Sequence, residues 1–234
     1  MTKIVCRGLL FDMDGVLVDS TAAVARVWSR WALKHNLDAD AVVRQAHGRP
    51  SMATIQELLP QADATVHRLE DEWMERAEIE DIADVVALPG SRELLGALPP
   101  GQFAVVTSAT RDLAEVRLRA AGLLDLTRHL VTASDIRRGK PDPEPYLQGA
   151  AKLRLPAQGC VVLEDAVSGT RSGKAAGARV IALRTTTPDG ELLAAGADFL
   201  INDCASLRFD GAACNGLLHF QWNSEERPRV PKMH

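Results

Sequence analysis

Apolar positions along this chain follow two patterns. From Leu88 onward, short continuous apolar runs such as FAVVT (103–107), CVVL (160–163) and RVIAL (179–183) alternate with stretches whose apolar positions recur every three or four residues. Short runs bounded by turn residues mark buried strands, and three-to-four spacing marks helices with one apolar face. Gly8–Phe11 is another such run, closed by Gly15. From 17 to about 85 no strand pattern of comparable strength occurs. Val24, Val27, Trp28 and Trp31 give one face of a helix from Ser20 to Leu37, and a second helical piece runs from Asp40 to Ala46 and stops at Gly48. HGRPS (47–51) reads as a loop, Ser51 opens a helix to Leu59, and a polar helix from Asp63 to Ile82 is expected to bury Val66, Leu69 and Trp73.

After the punctuation of Leu88-Pro89-Gly90-Ser91, strands are expected at 103–107, 129–132, 160–163, 179–183 and 198–201. Helices are expected at 91–98, 111–121, 143–153, 167–176 and 191–195. Alternating strands and helices imply an α/β fold, a Rossmann-like parallel sheet with helices on both faces. The expected organisation is a core of residues 1–16 and 89–222, an inserted all-α domain of residues 17–88, and a polar, proline-broken tail, 223–234, that is expected to be disordered.

Composition narrows the function. Of 234 residues 46% are hydrophobic and 25% charged, and the net charge of −4 leaves no footprint for nucleic acid or an anionic membrane surface. Arg7 interrupts the first apolar stretch, so no signal-peptide core is read, and no apolar run approaches the ~18 residues of a membrane span. Cys6, Cys160, Cys204 and Cys214 show no ligand spacing, and Cys6 and Cys160 are expected to be buried; the chain is expected to be reduced and cytoplasmic.

Four stretches carry chemistry. Asp12-Met13-Asp14 follows the first strong strand, and in open α/β sheets ligands bind at the carboxyl ends of strands. One carboxylate there can attack and the other can move protons. Thr107-Ser108-Ala109, at the end of the FAVVT strand, offers hydroxyls and backbone N–H groups to phosphate oxygens; a helix cap would need the same residues. Lys140, fixed among prolines in Gly139-Lys140-Pro141-Asp142-Pro143, can face a developing negative charge. Glu164-Asp165 follows CVVL, and with Asp12 it would form a hard-oxygen site suited to Mg2+. SGTRSGKAAG is not a phosphate-binding P-loop: Ser168 stands where that motif needs Gly, and Ala175 where it needs Ser or Thr.

In order and position these stretches resemble the four motifs of the haloacid dehalogenase superfamily of aspartate-nucleophile phosphotransferases, a likeness covering Arg7 to about Ile201. VVTSATRD, GKPDPEPYL and VVLEDAVSGTRSGKAAG, with HGRPS in the insert, look like its sugar-phosphatase branch, which includes 2-deoxyglucose-6-phosphate and glycerol-3-phosphate phosphatases. The resemblance implies that the helical insert is a cap domain. It makes Asp12 the nucleophile and Asp14 the acid and then base. Ser108, or Thr107 if the register slips by one, would be the motif-two hydroxyl, with Ala109 beside it at the phosphate. Lys140 would offset the charge between Asp12 and the phosphoryl group. Asp12, Asp14 (through its carbonyl), Glu164 and Asp165 would lie at a Mg2+ site, and Arg49 and His47 in the cap loop would face the substrate.

The implied activity is a Mg2+-dependent phosphatase of a small sugar or polyol phosphate, working through an aspartyl-phosphate. Its expected partner is that small phosphorylated metabolite, without nucleic acid or membrane, and the chain is expected to act as a monomer. The alternative is a sugar-phosphate mutase of the β-phosphoglucomutase type. Such mutases carry a histidine on the first cap helix, about where Val24 stands here. A dehalogenase would lack the second aspartate, present here as Asp14. A non-catalytic binding protein would have lost a catalytic group, and none is missing.

Overall fold

The computed structural model describes residues 1–46, 49–213 and 215–223. The readings of His47 as a substrate contact and of a disordered tail from 224 onward therefore lie outside the described residues.

Strands β1 (Thr2–Cys6) and β2 (Gly8–Phe11) open the chain. A two-residue strand, β3 (Val18–Asp19), leads into α1 (Thr21–Lys34), α2 (Ala39–Ala46), α3 (Ser51–Leu58) and α4 (Ala64–Glu80); β4 (Val86–Ala87) then pairs antiparallel with β3. There follow α5 (Ser91–Ala97), β5 (Phe103–Val106), α6 (Arg111–Ala120), β6 (Leu130–Val131), α7 (Glu144–Lys152) and β7 (Cys160–Glu164). The chain closes with α8 (Val167–Ala175), β8 (Arg179–Leu183), α9 (Asp189–Ala194), β9 (Phe199–Ile201), β10 (Arg208–Ala212) and β11 (Leu218–Trp222).

Among the described residues a six-stranded parallel sheet has the order β6-β5-β2-β7-β8-β9. Successive side chains of a strand point to opposite faces, and the core divides accordingly. Leu9, Phe11, Phe103, Val105, Val161 and Leu163 pack on one face with Leu94 and Leu95 of α5 and Ala114 and Leu118 of α6. Leu10, Ala104, Val106, Cys160 and Val162 pack on the other with Tyr146 and Ala150 of α7. With both faces covered, the strands read as unbroken apolar runs rather than alternating ones. β2 lies between β5 and β7, where the chain order reverses, and the crevice at the carboxyl ends of such strands is where ligands of open sheets bind.

The helices between β3 and β4 have a core of their own, built from Val27, Trp28, Trp31, Val42, Ile55, Met74 and Ala77. Here the expected stripe of α4 fails. Val66 and Leu69 are 38% and 52% exposed, and the buried residues are Glu70, Met74 and Ala77. The register is set by Glu70, which accepts from Trp31 Nε1 (3.0 Å) and Lys34 Nζ (2.8 Å); a paired carboxylate took the buried place that hydrophobicity alone would deny it. Trp73 is partly buried against the same core.

A second sheet, β1-β11-β10, is antiparallel and was not foreseen. Along β1 only Ile4 and Cys6 face inward, and β10 carries an Asp210-Gly211 pair that reads as a turn but forms a bulge. Cys6, Cys160 and Cys204 are free and buried. No helix among the described residues is long and apolar enough to cross a membrane.

Candidate active site

Asp12 is the first residue past β2, its backbone N–H bonded to the Leu163 carbonyl of β7 (2.9 Å). Parallel pairing of β2 with β5 and β7 puts Asp12, Thr107 and Glu164 at one edge of the sheet. The loop before α7 brings in Lys140, whose buried ammonium stands 2.8 Å from Asp12 Oδ1 and 2.7 Å from Glu164 Oε1 and donates to the Val106 carbonyl (3.1 Å). Four of the expected residues, Asp12, Lys140, Glu164 and Asp165, thus form one cluster.

Glu164 is fully buried and fully engaged. Oε1 accepts from Lys140 and from the Tyr146 hydroxyl (2.6 Å), and Oε2 from the backbone N–H groups of Asp165 (3.0 Å) and Ala166 (3.1 Å). Asp165 accepts from the Thr186 hydroxyl. Gly15, at φ +75°, passes so close that a Cβ there would lie 2.0 Å from Asp165 Oδ2.

Asp12, Glu164 and Asp165 offer carboxylate oxygens that all lie within 4.8 Å of one another, with one ammonium among them. Burial pushes the Asp12 carboxyl up to about 7, and the Glu164 charge adds to this while Lys140 opposes it. Asp165 is held well above the usual carboxylate range by burial and by the charges of Glu164 and Asp12, against Thr186 and Lys140. Burial would lower the Lys140 ammonium, but Asp12 and Glu164 outweigh it and raise it. Three crowded carboxylates are relieved by a cation, and an all-oxygen donor set of this kind fits a hard divalent ion such as Mg2+.

Asp14 faces away from this cluster. Ser20 Oγ donates to its Oδ1 (2.6 Å) and Arg117 to its Oδ2 (3.0 Å), and the same guanidinium donates to Glu78 of α4 (3.2 Å). Arg117 was missed from the sequence. It is buried on the face of α6 that carries Leu113, Ala114 and Leu118, and a charge in that apolar stripe was the available signal. Tyr146 and Thr186 were also missed; each is an ordinary apolar-helix or loop residue until the fold sets it against a carboxylate.

Of the two candidate hydroxyls after β5, Thr107 is buried and its Oγ1 accepts from the Ala109 N–H (3.1 Å), whereas Ser108 is exposed. Both line, with Ala109, a cavity of about 230 Å3 that runs from Asp12 to the helical insert. Arg49 and Val24 reach the same cavity from the insert. The Arg49 guanidinium is bonded through two nitrogens to Glu57 (2.9 and 2.5 Å).

The family model of haloacid dehalogenase-like hydrolases matches residues 9–183. Hexitol phosphatase A of Escherichia coli (strain K12) is 40% identical over 180 residues, 76% of this chain and 83% of that protein. Glycerol-1-phosphate phosphohydrolase 2 of Saccharomyces cerevisiae is 33% identical, over 86% of this chain and 84% of that one. A solved structure assigned as a β-phosphoglucomutase, from Thermotoga maritima, superposes with a TM-score of 0.63 at 28% identity, covering 83% of this chain and 94% of its own.

Proposed function

The chain belongs to the haloacid dehalogenase-like hydrolases, and on that premise we propose that it hydrolyses a small sugar or polyol phosphate by way of a phosphoryl group held on Asp12. The observation that carries this reading is the Lys140 ammonium 2.8 Å from Asp12, beside the buried Glu164-Asp165 pair. The hexitol and glycerol phosphatases among its relatives support the substrate class.

The Asp12 carboxylate attacks phosphorus, forming an acyl phosphate and breaking the bond to the substrate oxygen. Asp14 gives that oxygen a proton, then takes one from the water that attacks the acyl phosphate. For this it turns from Ser20 and Arg117, its partners here, toward the substrate. Lys140 lies where it offsets the charge of a phosphate dianion approaching a carboxylate, and Ser108, with Thr107 and Ala109 beside it, binds the phosphoryl oxygens. Asp12 and Asp165, with the Asp14 carbonyl, would hold Mg2+, with Glu164 close by; the ion would supply positive charge that keeps Asp12 ionised and offsets the phosphate. Residues 17–88 act as a cap that excludes water and selects the substrate, with Arg49 at its rim, over a core of residues 1–16 and 89–222. We place the enzyme in the cytoplasm, acting as a monomer.

Asp12→Asn is nearly isosteric but neither nucleophile nor good ligand. It should abolish phosphate release with the melting transition retained, and excess chelator should do the same to the unmodified protein. Turnover surviving either treatment overturns the assignment.

A further inference from the structure

The cavity beyond Asp12 ends against the insert, and the wall there is acidic. Asp71, Glu75 and Glu78 of α4 stand at i, i+4 and i+7, one face of a helix, and all three line the cavity. Each is fixed by a donor from another element. Ser51 Oγ donates to Asp71 (2.5 Å), the Thr110 hydroxyl, just past the Thr107–Ala109 loop, donates to Glu75, and Arg117 donates to Glu78.

Among the described residues, the cations lining the cavity are already committed. Arg49 is bonded to Glu57, Arg117 is shared between Asp14 and Glu78, and Lys140 between Asp12 and Glu164. Among the described cations of the wall, Arg117, 4% exposed, keeps an Nε–H that is itself buried and has no acceptor. A leaving group in this space therefore meets carboxylate oxygens with lone pairs to spare and, among the described residues, no uncommitted cation. A second anionic group would meet like charges without a counter-ion, in a space partly shut off from water, where screening is weak.

We propose that Asp71 and Glu75 determine specificity in this cavity: they admit leaving groups that bring hydroxyl or ammonium donors and reject those carrying a second anionic group. This rests on the cavity being the phosphatase site, and it narrows the substrate to phosphomonoesters of neutral or aminated polyols.

The test compares kcat/KM on substrates matched in all but charge, using the full chain with Mg2+. Glycerol 3-phosphate and 3-phosphoglycerate differ by a hydroxymethyl against a carboxylate, and glucosamine 6-phosphate and glucose 6-phosphate by an ammonium against a hydroxyl. Glu75→Gln and Asp71→Asn keep an acceptor for Thr110 and Ser51 while removing the charge. The unmodified protein should favour glycerol 3-phosphate over 3-phosphoglycerate by about a hundredfold, and each variant should narrow that ratio about tenfold, with a rise in the absolute rate on 3-phosphoglycerate. The preference for glucosamine 6-phosphate should fall in the same variants. A general loss of structure cannot raise the absolute rate on 3-phosphoglycerate while lowering both ratios. Equal rates on glycerol 3-phosphate and 3-phosphoglycerate, or ratios unmoved in both variants, overturn the inference and leave the phosphatase reading intact. No phosphate release from any of the four overturns that reading and the inference with it.

Discussion

A Cβ on Gly169 would lie 1.6 Å from Oε1 of Glu164. Gly169 is on the first turns of α8, directly after the strand that ends in Glu164, so the helix backbone closes one side of the glutamate's pocket. On the other side that oxygen accepts from Lys140 and Tyr146. Glu164 is therefore held by a glycine as much as by its hydrogen bonds, and Lys140 is aimed at Asp12 through it.

Gly169→Ala should force Glu164 to turn away or α8 to shift. Overpacking of this kind costs about 1–3 kcal/mol. The Mg2+ concentration for half-maximal phosphate release should rise about tenfold or more, because outer partners of metal ligands carry such weight. Mg2+ titrations of phosphate release and urea unfolding measure the two effects. An unchanged Mg2+ requirement would show that Glu164 does not bear on the metal.

Arg117 should be the costliest single charge to remove. It is buried and stands between Asp14 of the core and Glu78 of the insert. Burial and the charge of Asp14 raise the Glu78 carboxyl, against the pull of Arg117. Arg117→Met would leave two carboxylates without their counter-ion, a loss of about 3–5 kcal/mol for a broken buried pair. Arg117→Met combined with Glu78→Gln should recover part of this, since only Asp14, which keeps its bond from Ser20, then lacks a counter-ion. Urea unfolding of the single and double variants reads the difference; additivity would mean the two residues do not interact.

The parallel sheet was legible because strands buried on both faces are written as unbroken apolar runs, and the turn residues between them are strong. The acidic cluster was legible for a related reason: Asp12 and Glu164-Asp165 directly follow such runs, while Lys140 was marked by the prolines around it. What stayed hidden depends on partners distant in the chain. Glu70 occupies a buried position only because Trp31 and Lys34 meet it there. Arg117 sits in an apolar stripe only because Asp14 and Glu78 converge on it from two other elements. Strand β10 has no buried position to leave a pattern, and β11 buries Gln221 beside Leu218, Phe220 and Trp222, so polar residues break its apolar run.

Glu70 makes the insert sensitive to acid. Burial would raise its carboxyl, but Lys34 and His35, whose Nε2 lies 3.1 Å away, outweigh burial and hold it below the usual carboxylate range. A carboxyl whose value is lower in the folded chain stabilises above its unfolded value, and that contribution is lost as pH falls through the folded value. Glu70→Gln should therefore lower stability at pH 7 by about 2 kcal/mol. The gap should begin to close below roughly pH 4.3, the ordinary glutamate value, and be small once Glu70 is protonated. Melting curves of both proteins from pH 3 to pH 7 test this; a gap independent of pH would assign the loss to packing.

Hydrolase and mutase share the phosphoryl group on Asp12 and differ in what next reaches it. A mutase must keep water out while a phosphorylated sugar turns over, and it must bind a bisphosphate. Val24 lines the cavity from α1 and has no donor with which to tie a sugar to Asp14. The acidic face of α4 and the committed state of Arg49 and Arg117 both disfavour a second phosphate. Incubation with β-glucose 1-phosphate and a trace of glucose 1,6-bisphosphate should thus release inorganic phosphate without a lag, and glucose 6-phosphate should not build up. The structural likeness to a protein assigned as a mutase makes this the deciding assay. Glucose 6-phosphate accumulating faster than inorganic phosphate would make the chain a mutase, with its cation for the second phosphate freed only when the insert moves.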